Sequence, residues 1–74
     1  MGALAILDHT GHDEIIWDIG NAAQIMAARK RFDELRAKGF AAYKVGDGGE
    51  PGEILHAFDP WAGKIIMAPA MVGG

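Results

Sequence analysis

The sequence predicts an α+β domain of two layers, one helix laid across a mixed sheet, in the order β-β-α-β-β-β. Three observations predict it. Between Ala22 and Lys38 apolar residues recur at steps of three and four, the period of a helix with one buried face. On either side of that segment lie short apolar runs with β-branched or aromatic residues, the pattern of strands. Most of the eleven glycines fall between the runs, where an element must end. With 74 residues there is room for one small domain, which buries only about 60% of the surface of its unfolded chain.

The first run, Ala3-Leu4-Ala5-Ile6-Leu7, reads as a buried strand that stops at Asp8. Asp8 to Asp13 supplies turn chemistry around Gly11. Glu14 to Ile19 follows as a second strand, with Ile15, Trp17 and Ile19 on one face, so the two runs form a hairpin. Asn21 stands as the N-cap of a helix over Ala22 to Lys38, whose apolar stripe is Ala22, Ile25, Ala28, Phe32 and Leu35. Lys30, Glu34 and Lys38 are i,i+4 neighbours on the opposite side. Gly39 stands where a helix C-terminus calls for glycine.

Phe40 to Val45 is a third strand, with Ala41, Tyr43 and Val45 on one face. Gly46 to Gly52, with four glycines and a proline, reads as a flexible seven-residue loop. Glu53 to Phe58 is a fourth strand with Ile54, His56 and Phe58 on one side. Asp59-Pro60-Trp61-Ala62-Gly63 is a turn, with Asp59 as a cap. Lys64 to Ala68 is the last strand, and Pro69 ends its ladder because it has no N–H to donate. Residues 1–69 form the domain and 70–74 a tail. One helix covers one face of the sheet. The other face, where Ile16, Leu55 and Ile66 are expected, is left for solvent or a partner.

Composition narrows the function. The chain has no Cys and no Ser, and Thr10 is its single Thr, so a thiol or hydroxyl nucleophile has almost nothing to work with. Hence the chain reads as a non-enzyme that needs no cofactor. His9 and His12, flanked by Asp8 and Asp13, are weak metal candidates, because Asp and His are also ordinary turn residues. His56 reads as a packed or edge histidine. The glycine-rich loop lacks the Lys and the following helix of a phosphate-binding loop. A net charge of −3 speaks against nucleic acid, and no apolar run approaches the ~18–20 residues of a membrane span. A cytoplasmic protein with protein partners is expected. Five of the seven basic residues lie on the helix, among them Arg29, Arg31 and Arg36, a possible surface for an acidic partner. Ile16 and Ile66 are the apolar counterparts on the sheet.

The last eight residues, Met67-Ala68-Pro69-Ala70-Met71-Val72-Gly73-Gly74, are the most specific feature. Two glycines without Cβ bulk can thread a narrow channel and take backbone angles closed to other residues. Such a segment suits a chain whose own carboxylate is the reacting group. Element order and tail together resemble the ubiquitin-like β-grasp proteins. The tail, an apolar strand followed by proline, a small apolar residue and Gly-Gly, is most similar to the prokaryotic sulfur carriers, the molybdopterin-synthase small subunit and the thiamine sulfur carrier among them. The resemblance implies a protein modifier or sulfur carrier, with Gly74 as the activated carboxyl, Gly73 as its slim neighbour and an adenylating (activating) enzyme as partner. Lys30, Lys38, Lys44 and Lys64 would be available for conjugation. Two features depart from that pattern: Asp59-Pro60-Trp61-Ala62-Gly63-Lys64 replaces the acidic turn usual before the last strand, and the basic tail residues of ubiquitin are missing. The alternative expectation is a structural or interaction module, such as a small subunit of a larger assembly or phage particle.

Overall fold

The computed structural model describes residues 1–8, 11–45 and 51–69, without the side chain of Pro51. Five strands and one helix follow one another as β1 (Gly2–Asp8), β2 (Gly11–Trp17), α1 (Ala22–Ala37), β3 (Phe40–Val45), β4 (Pro51–Leu55) and β5 (Lys64–Pro69). They form a single five-stranded sheet in the order β2-β1-β5-β3-β4, with α1 packed on one face. The sheet is mixed: β1 runs antiparallel to β2 and parallel to β5, while β3 runs antiparallel to both β5 and β4. The last strand therefore lies in the middle of the sheet.

The covered face is set by alternation along each strand. Leu4, Ile6, Trp17, Ala42, Ile65 and Met67 point at the helix, which returns Ala28, Phe32 and Leu35, all buried. Ile25 and Phe40 pack against this cluster, whereas Ala22 is exposed rather than part of the stripe. Trp17 closes one end of the core. Its indole N–H donates to the Pro60 carbonyl at 3.0 Å, so the polar end of a fully buried ring is satisfied. Phe58 sits edge-on to both Trp17 and Phe32, with ring centroids 5.0 and 5.7 Å away.

The helix begins and ends where its caps dictate. Asn21 Oδ1 accepts the Gln24 N–H at 3.1 Å. At the other end Gly39 takes φ +95° and donates its N–H to the Arg36 carbonyl, a left-handed stop that glycine allows at little cost. On the exposed surface the ion pair is Arg31–Glu34 at 3.6 Å, one turn apart, rather than a Lys30–Glu34–Lys38 ladder.

Several boundaries differ from the pattern expected of the sequence. Strand β2 starts at Gly11 and stops at Trp17, leaving Ile19 in a turn. There Asn21 N–H donates to the Asp18 carbonyl, and Asp18 N–H to Gln24 Oε1, so helix capping takes over the chain two residues early. Strand β4 takes in Pro51 and Gly52, an edge position where a missing N–H does no harm, and it ends at Leu55. The expected loop at 46–52 shrinks accordingly, and its remaining residues 46–50 lie outside the described residues. Phe58 is released from the strand to fill the gap between Trp17 and Phe32. That also reverses the expected faces of β4: Leu55 packs on the core, not on the uncovered face, while Ile54 points away from it and His56 is exposed beyond the strand.

Candidate functional site

The face of the sheet opposite the helix is one candidate surface. Its residues are the alternates of the core residues: Ala3, Ala5 and Leu7 on β1, Glu14 and Ile16 on β2, Lys64, Ile66 and Ala68 on β5, Ala41 and Tyr43 on β3, and Ile54 on β4. Their register is fixed by the ladders. One row across all five strands reads Glu14, Ala5, Ile66, Tyr43, Ile54. A neighbouring row reads Ile16, Ala3, Lys64. Ile16 is 54% exposed, Ile54 53% and Leu7 41%, whereas Ala5 is only 4% exposed. The result is an apolar surface with charges at Glu14 and Lys64.

Both outer strands are poor templates for adding a strand. On β2, the Glu14 N–H is taken by Asp13 Oδ1 at 2.9 Å, and just beyond the strand the Asp18 N–H is taken by Gln24. Strand β4 opens with proline, and its pairing with β3 shifts register between Tyr43 and Val45. Occupied donors, proline and register breaks are the devices by which sheets discourage edge-to-edge pairing. The open face, not the edges, is the accessible apolar surface.

The basic residues of the helix do not gather into one patch. Arg29 borders a shallow hollow of about 390 Å³ with Met26, Lys30, Asp33 and Glu34. Arg31 pairs with Glu34 and borders a different hollow of about 280 Å³, together with Ile6, Asp8, Gly11, His12 and Asp13. Arg36 donates to the Phe40 carbonyl at 3.4 Å. Two of the three guanidiniums thus already have partners within the chain. His12 lies exposed beside the second hollow, and among the described residues no group of three His, Cys, Asp or Glu converges to hold a metal. His9, Gly73 and Gly74 lie outside the described residues.

Ile16 and Ile66 share the open face but not a row. Sequence periodicity does not single out Leu7 or Ile54 for it. The signal lay in their neighbours, since Ile6 and Leu55 are the residues the core takes, and alternation then sends Leu7 and Ile54 the other way. Another exposed apolar side chain is Trp61, 78% accessible in the turn before β5. There Asp59 Oδ1 accepts the Trp61 N–H at 3.0 Å, and the next residue, Ala62, is buried in the core.

These features define a small α+β protein with a helix on one side of a mixed sheet and an uncovered apolar surface on the other. Among the described residues no helix is long and apolar enough to cross a membrane. No family model matches the chain, and neither a curated protein nor a solved structure matches it.

Proposed function

We propose that the chain is a β-grasp protein of the ubiquitin-like kind, a modifier or sulfur carrier that acts as a substrate through Gly73 and Gly74. The observation that supports this reading is the strand order β2-β1-β5-β3-β4, with the final strand central and parallel to the first. That arrangement anchors the segment before the tail on both sides, by β1 and by β3, so force or binding at residues 70–74 is resisted by the whole sheet. The reading needs a free carboxylate on Gly74, present as the native end or produced by cleavage behind it. Adenylation of that carboxylate by an activating enzyme then allows attack by sulfide, a thiol or a lysine amine, with adenylate as the leaving group. No side chain of this chain needs to act as acid, base or nucleophile, in keeping with its lack of Cys and Ser.

The experiment is mass spectrometry of the protein from its native host. Thiocarboxylate or isopeptide-linked forms ending at Gly74 are expected. Deleting Gly74 abolishes them and leaves the melting temperature unchanged. Full activity of a variant carrying a permanent extra residue after Gly74 overturns the proposal.

A second reading, a non-enzymatic interaction module, is favoured by the apolar rows of the open face. It predicts that Gly73 and Gly74 are dispensable and that charged substitutions at Ile16 and Ile66 remove partner binding. Charge reversal at Arg29, Arg31 or Arg36 has the smaller effect, because Arg31 and Arg36 are already engaged. Binding that survives all of these changes eliminates the module.

A further inference from the structure

The turn that leads into β5 is tied down on every side, yet it presents a large side chain to solvent. Asp59 Oδ1 accepts the Trp61 N–H at 3.0 Å, and the Asp59 carbonyl accepts the Ala62 N–H at 3.1 Å. The Pro60 carbonyl accepts the Trp17 indole N–H at 3.0 Å, and the Gly63 carbonyl accepts the Ala3 N–H at 3.2 Å. Pro60 has its φ fixed by its ring, and Ala62 is fully buried. The backbone of Trp61 is therefore anchored before and after it, while its side chain is 78% accessible. Turn chemistry does not call for an indole, since turns favour Gly, Asn, Asp and Ser. A Trp whose backbone is already ordered loses little further freedom on binding, and interfaces concentrate their affinity on such residues.

The surroundings of Trp61 set the charge of what binds there. Asp59 is half-buried and engages the turn through Oδ1, and among the described residues its Oδ2 has no partner. Outside residues 22–38 the chain carries eight carboxylates against Lys44 and Lys64, a net charge of −6 that draws in a positive partner. An indole is the best aromatic face for a cation, which must come within about 6 Å of the ring centroid. A guanidinium suits both groups at once. Its plane stacks on the indole, and one edge of N–H donors turns to the Asp59 carboxylate. A lysine ammonium is a compact, strongly hydrated point charge and gains less from the ring. Lys64, three residues on, is the only basic residue from Asp59 to Pro69 and opposes such a partner.

We infer that Trp61 and Asp59 form a docking point for an arginine of a basic partner protein. The inference goes beyond both readings above, because it uses neither Gly73 and Gly74 nor the open face, and it is tested separately from them. One stacking contact and one ion pair at the surface each contribute little, so the site is weak alone. What it adds is a preference for arginine within a contact that opposite charge brings together.

NMR titration of the full chain with a hexa-arginine peptide and with a hexa-lysine peptide tests this, read from the backbone amides. The two peptides carry the same charge, so the difference between them reports the stacking. The arginine peptide should bind about threefold more tightly, with shifts centred on the turn at 59–63. Trp61→Ala, an exposed substitution, should remove that preference and leave a salt-sensitive attraction that is equal for both peptides. Asp59→Asn keeps an oxygen for the Trp61 N–H but loses the charge, and should weaken the arginine peptide about threefold. Lys64→Glu should tighten it. Circular dichroism checks the fold of each variant. Equal affinity of the two peptides for the wild type, or an arginine preference that survives Trp61→Ala, overturns the proposal. Weaker binding by Lys64→Glu overturns it in favour of an acidic partner. Shifts at 59–63 that appear with phosphatidylcholine vesicles and not with the arginine peptide overturn it in favour of a lipid surface.

Discussion

The two faces of the sheet are made by the same strands, one residue apart, yet they are built on opposite rules. The covered face is interlocked. Phe58 meets both Trp17 and Phe32 edge to face, and a hydrogen bond from Trp17 to the Pro60 carbonyl ties a connecting turn into the core. Among the described residues the open face has no second layer: its apolar residues stand in rows with strand neighbours for support. A substitution on the first face removes contacts in three dimensions, and one on the second removes contacts in two. The difference between them should therefore appear as a gap in stability effects, which the following substitutions measure.

The largest effect belongs to Trp17. Truncation to Ala deletes a fully buried ring and strands the Pro60 carbonyl, at a cost of about 3–5 kcal/mol. A core of this size supplies about 3–5 kcal/mol in total. Trp17→Ala should consequently leave the chain largely unfolded at 25 °C, seen as loss of cooperative urea unfolding by circular dichroism. A cooperative transition with a midpoint close to that of the wild type would mean that the covered face is not the stabilising one.

Gly2 comes next. A side chain there would run into the Trp17 indole, with ring carbons where its Cβ must go. Gly2→Val should cost about 1–3 kcal/mol, as overpacking does. The cost should fall sharply in a Trp17→Leu background, because the obstacle is removed, and a double-mutant cycle reads that coupling directly. Equal costs in both backgrounds would place the strain elsewhere. Asn21→Ala should follow with about 1 kcal/mol, through loss of the cap on Gln24 N–H, whereas Asn21→Asp keeps an acceptor and should change little.

The same contrast explains what could be read from the sequence. The helix was legible to within a residue because its start, stripe and stop are each encoded locally, by Asn21, by the three-and-four spacing and by Gly39. The element order and the existence of five strands were legible from the alternation of apolar runs and turn residues, although the bounds of β2 and β4 were not. What was not legible depends on contacts between distant residues. Phe58 alternates correctly for β4, but the space between Trp17 and Phe32 draws it out of the strand, and only the assembled core creates that space. Once Phe58 leaves, Leu55 becomes the core residue of β4 and Ile54 joins the open face. For the candidate surface, Ile16 and Ile66 could be chosen from the sequence, but the row that links Ile66 to Tyr43 and Ile54 is a property of register, which local pattern does not contain.

The smallest effect is also the most discriminating. Ile54 is a large aliphatic residue in a strand, and by composition it resembles Ile65, which is fully buried two strands away. If chemistry alone set the cost, Ile54→Thr and Ile65→Thr would destabilise alike. The faces differ, so the costs should separate. Ile65→Thr places a hydroxyl in the core beneath the helix, while Ile54→Thr puts one where water already reaches and keeps the β-branched shape that a strand favours. Ile54→Thr should stay within about 0.5 kcal/mol of wild type in urea unfolding. Ile65→Thr should cost several times more. A loss above about 1.5 kcal/mol at Ile54, measured at low protein concentration, would mean that the rows of the open face stabilise the monomer as a packed layer.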